Sequence, residues 1–86
     1  MNATKLTSAL KSNLDATRLL AQTLYDSDPP ILDYDTAMSI PVRCPAISKA
    51  IRDSWDDRSD EIDQALAAVE ESEPDFVERV WTALLA

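Results

Sequence analysis

The residues of this chain best equipped for chemistry are carboxylates. From Asp53 to Asp63 the run DSWDDRSDEID sets Asp53, Asp56, Asp57, Asp60, Glu61 and Asp63 around one cation, Arg58. Carboxylates this close can act as acid and base, chelate Ca²⁺ or Mg²⁺, or offer a negative face to a cationic partner. General acid catalysis needs a carboxyl group raised in pKa by burial, whereas one helix carries this run as a solvated ridge. The EF-hand spacing, with its glycine and its closing glutamate, is missing.

Other chemistries lack their residues. The chain has no histidine, which removes the commonest general base near neutral pH, the Ser–His and Cys–His pairs and the usual nitrogen ligand for zinc. It has no glycine, so neither a P-loop nor a dinucleotide fingerprint can form. The lone Cys44 makes neither an internal disulfide nor a thiolate cluster, and Arg43 is its one local activator. In PVRCP it reads as a small apolar side chain in a packed loop. The expectation is a non-catalytic protein with no cofactor and no metal site.

What remains is binding. On a helical wheel Asp53, Asp56, Asp57, Asp60, Asp63 and Glu71 gather in a sector of about 120°, opposite an apolar stripe. Five of these six are Asp, a poorer helix former than the Glu that would serve a plain solvent face. Carboxylates at i,i+3 and i,i+4 stand about 5–6 Å apart, near the phosphate spacing of one nucleic-acid strand. A straight row of that kind can occupy the basic groove of a nucleic-acid-binding protein. Anti-restriction and anti-CRISPR inhibitors and nuclease-immunity proteins of phages and mobile elements use that strategy, an analogy of charge and size alone. The other binding reading is an adaptor or assembly subunit working through apolar surface. Leu19 falls off its helix's stripe, as a scattered exposed leucine or a contact to another chain. Trp81 and Leu85 belong to a face wider than one neighbour can cover, which must sit between two helices or face a partner or a second copy of the chain.

These side chains need helices to hold them. The absence of glycine argues against tight β-hairpins. Leu6, Leu10, Leu14, Leu20, Ala21 and Leu24 recur at helical steps within about 140°, predicting a helix over 2–25 capped by Asn2, with Asn13 and Thr17 as polar members of its seam. Pro29 and Pro30 stop it. Residues 26–45 form a proline-containing crossover with one short helical turn near Tyr34–Ser39. They are too apolar for a free linker and are expected to cover one open side of the bundle. Ile47, Ile51, Trp55, Ile62, Ala65, Leu66 and Val69 keep a sector of about 100°, predicting one long helix over 45–72 opened by Pro45. Arg58 lies inside that stripe, its stem on the seam and its head free for water, a carboxylate or a tryptophan face. A break at Ser59, a fitting N-cap, would divide the acidic row. Ser72 as cap and Pro74 as first residue predict a last helix over 74–85.

The whole is expected to be one all-α domain, a small three-helix bundle, with dimerisation left open. Its net charge is −8, and residues 41–86 hold five basic and eleven acidic residues. That balance disfavours nucleic acid and anionic lipid, and steers the chain toward a protein with a basic surface. No run approaches the roughly 18–20 apolar residues of a membrane helix, and the N-terminus lacks the apolar centre of a signal peptide. The expected location is cytoplasmic, in the host cell if the chain is phage- or virus-encoded.

Overall fold

Helix formation starts at Asn2, whose side-chain oxygen accepts the Lys5 backbone N–H at 3.0 Å and satisfies one of the donors a first turn leaves free. In the computed structural model, which describes residues 1–86, five helices follow and no strand: α1 (Ala3–Ser12), α2 (Leu14–Tyr25), α3 (Tyr34–Met38), α4 (Cys44–Glu70) and α5 (Pro74–Leu85). The chain is a small all-α bundle.

The first expected helix is divided. Asn13 takes an extended backbone (φ −149°, ψ 98°), closing α1, and its side-chain oxygen caps α2 by accepting the Ala16 N–H at 3.2 Å. The Thr17 hydroxyl faces the carbonyls of Leu10 and Asn13, and the Asn13 amide donates to Glu73 Oε2 at 2.9 Å. Local side-chain bonds of this type compete with the helical ladder. The two polar residues of the seam therefore mark the corner where α1 turns off toward α5 and α4, while α2 packs on α4 and α3.

The crossover behaves as its composition requires. Leu32, Ala37 and Ile40 are buried, and the Asp33 carboxylate caps α3 by accepting the Thr36 N–H at 2.7 Å. Tyr25 of α2 meets Tyr34 of α3 edge to face at 5.9 Å. The crossover thus covers chiefly α2, with a smaller contact to α4.

The central helix departs from the expected straight rod. Arg58 has non-helical angles (φ −130°, ψ 27°), so two helical halves meet there, one residue before Ser59. Weak helix formers surround the site, and carboxylates at i,i+3 and i,i+4 repel one another. The break gives Arg58 a different task. Its Nη2 donates to the Pro29 carbonyl at 2.6 Å and its Nε pairs with Glu61 at 3.2 Å, leaving the side chain 18% exposed. The apolar seam crosses the kink intact, since Ile47, Ile51, Ile62, Ala65, Leu66 and Val69 are all buried.

Ser72 does not cap the last helix. Its hydroxyl turns back to the Val69 carbonyl at 3.3 Å, Glu73 holds the cap position without a side-chain bond, and Pro74 opens α5. α5 lies between α1 and α4, which accounts for the width of its apolar face. The N-terminal end is tied in twice: the Asn2 N–H donates to the Ala83 carbonyl at 3.1 Å, and the Ser48 hydroxyl to the Ala3 carbonyl at 3.2 Å. One cluster of 22 buried residues forms the core, and every buried polar side-chain atom has a partner. No helix is long and apolar enough to cross a membrane.

Candidate functional site

The acidic ridge is exposed throughout: Asp53, Asp56, Asp57, Asp60, Asp63 and Glu71 all face solvent. It is not the straight strip its spacing implies. The kink at Arg58 separates Asp53, Asp56 and Asp57 from Asp60, Asp63 and Glu71, so the two halves follow different axes. A regular match to a phosphate backbone is lost with that alignment. Asp53 is also partly neutralised, by Lys49 at 3.2 Å and Arg52 at 3.5 Å. The hydrogen bond from Lys49, assisted by the charges of Lys49 and Arg52, holds the Asp53 carboxyl below the ordinary carboxylate range. The other five ridge carboxylates enter no ion pair. No three acidic or thiol side chains converge as a metal ion would require.

The apolar candidates divide. Leu19, 40% exposed, stands on α2, which packs against α3 and α4. Trp81 and Leu85 lie one turn apart on α5, which packs against α1 and α4. Leu85 is 76% exposed, although Leu84 beside it is buried. Half-buried Trp81 meets half-buried Trp55 of α4 edge to face, with ring centroids 6.0 Å apart and planes at 75°. Both tryptophans of the chain therefore share one surface patch, with Leu85 at its outer edge. Trp55 was legible as a stripe residue. Its place at the surface follows from α5 crossing α4 there, a tertiary fact with no local signal.

A second exposed apolar group was hidden in the crossover. Tyr34 is 60%, Met38 37% and Val42 81% exposed, while their neighbours Leu32, Ala37 and Ile40 are buried. The signal available was an excess of apolar residues, with no periodicity to separate inward from outward positions.

Two concavities remain. An open groove of about 610 Å³ between α1 and α5 is lined by Thr4, Lys5, Ser8, Glu78, Arg79 and other polar residues, with one hydrophobic. Enclosed small-molecule sites are mostly apolar with a few polar groups, the reverse of this lining. A smaller one adjoins Asn13 and Glu73. Cys44 is fully buried and desolvation raises its thiol pKa, as suits an inert packing side chain, but it is the first residue of α4 and not part of the loop expected for it. Comparison of the chain with protein-family models, curated proteins and solved structures finds no match.

Proposed function

We propose that this chain is a protein-interaction module, an adaptor or assembly subunit, docking through the patch formed by Trp55, Trp81 and Leu85. The observation that supports this is the gathering of both tryptophans, edge to face and half-buried, beside a leucine left 76% exposed. Tryptophan is enriched where interfaces concentrate their energy, because one large rigid side chain gains much contact at small entropic cost. The partner is a different protein with a basic surface. Two copies of the chain would each bring a charge of −8 to the contact, and like charges oppose association.

The test uses the tryptophans as reporters. A partner recovered with the wild-type chain should blue-shift its tryptophan emission on binding, and Leu85→Asp should release that partner while leaving the far-UV spectrum unchanged. Retention by Leu85→Asp and by Trp81→Ala would remove this face from the interaction. A sizing column run with Leu85→Asp decides the homodimer case, since a dimer built on this face would split.

The five unpaired carboxylates favour a second reading, an antagonist that blocks a basic nucleic-acid-binding surface by charge. In this reading the two halves of α4 engage the partner separately, without a continuous strand-like row. Changing Asp53, Asp57 and Asp60 together to Asn, and raising the salt, should each abolish capture. Capture that survives both leaves the apolar patch as the docking element.

A further inference from the structure

The crossover between α2 and α4 buries one side and exposes an apolar other side. Leu32, Ala37 and Ile40 anchor it in the core, whereas Tyr34, Met38 and Val42 keep 60%, 37% and 81% of their surface exposed. Tyr34 and Met38 lie one turn apart on α3, and Val42, in the non-helical link between α3 and α4, is the most exposed large apolar side chain here. Tyr34 is braced from beneath by Tyr25, ring centroids 5.9 Å apart, so its position is held before any partner arrives.

The charge around this surface limits what can cover it. Asp26, Asp28, Asp33 and Asp35 border it in sequence and none of the four enters an ion pair; the cations on this side are Arg43 and Arg58, whose guanidinium is held by the Pro29 carbonyl and Glu61. A second copy would set four carboxylates against four. Nucleic acid and anionic lipid meet the same repulsion.

We infer that the α3 surface, Tyr34, Met38 and Val42, is a second docking site, which takes a cationic amphipathic segment of another protein. Apolar side chains of that segment cover the three residues, and its Lys or Arg side chains reach the bordering aspartates. The site is independent of the Trp55–Trp81 patch: α3 packs on α2 and α4, whereas α5 packs on α1 and α4. With both surfaces occupied, the chain bridges two proteins.

The probe is a labelled helical peptide with one leucine face and lysines elsewhere, beside a control in which every lysine is glutamate. In ¹⁵N–¹H spectra of the full chain, the lysine peptide should give saturable shifts concentrated at residues 33–43. Tyr34→Ser/Val42→Ser should weaken binding by about fivefold or more, as should Asp33→Asn/Asp35→Asn, in which the asparagine still caps α3. Leu85→Asp should bind like the wild type. Thermal melts check that each variant is folded. Shifts centred on residues 53–63 or on α5, equal binding of the glutamate control, wild-type affinity in the serine variant, or no saturable binding would each overturn the inference. So would a concentration-dependent dimer abolished by Val42→Asp, which would make a second copy the occupant.

Discussion

Asn13 and Arg58 decide where this bundle bends, and both do so by bonding to backbone or side chains elsewhere in the chain. Asn13 caps α2 with its oxygen and reaches Glu73 with its amide. Asn13→Ala removes both, and loss of an N-cap costs about 1 kcal/mol. Urea unfolding should show that drop, with Asn13→Ser recovering the cap but not the reach to Glu73; an unchanged midpoint in the alanine variant would mean the corner is held by packing alone. Arg58 holds the Pro29 carbonyl and Glu61 with one planar fork. Its removal in Arg58→Ala should cost about 1 kcal/mol, because the bonds are charge-assisted but reach solvent. Lysine cannot place two donors in that plane, so Arg58→Lys should restore under half of the loss. A lysine variant as stable as the wild type would reduce Arg58 to an apolar stem. The position of Arg58 in the stripe was readable from spacing; its partner 29 residues upstream was not.

The helix starts at Asn2 and Pro74 and the helical type of each element were readable because caps and periodicity are local, although the start of α2 at Leu14 was missed and Ser72 does not cap α5. Asn2 as a cap, the short helix at Tyr34–Met38 and the last helix over 74–85 all follow from such signals. The interruptions were not read from the same signals. Thr17 and Asn13 stood in the seam as apparent imperfections, yet they close one helix and open the next. Ser59 stood out as the point where α4 could break, and the irregular residue is its neighbour Arg58. The apolar stripe gave no warning, because its aliphatic residues stay buried on both sides of the kink. Hydrophobic periodicity reports which side of a helix is dry, and a bend that keeps the dry side inward leaves the pattern untouched. For the candidate sites this matters directly. Trp81 and Leu85 were accessible to sequence reasoning as a surplus face, whereas pairing Trp81 with Trp55 required the crossing of two helices.

Taken whole, the molecule combines a closed apolar core with a strongly anionic surface. A net charge of −8 on a body 27 × 25 × 25 Å across opposes its own compactness. Salt should therefore stabilise it: the melting temperature should rise between about 0.01 and 0.15 M ionic strength, over which the screening length shrinks from about 30 to 8 Å. A fall over that range would show that attractive pairs such as Lys49–Asp53 and Arg58–Glu61 outweigh the repulsion. Under the proposed function, that charge would sort partners by sign, and the tryptophan patch and the α3 surface would sort them by shape.

The bond between the Asn2 N–H and the Ala83 carbonyl brings the two ends of the fold together. A short linker could join them into a ring, and the ring could be cut at the exposed Glu71–Ser72 turn without opening either proposed docking surface. Such a circular permutant would keep every helix while moving the free ends away from Leu85, so that a fusion tag no longer crowds the tryptophans.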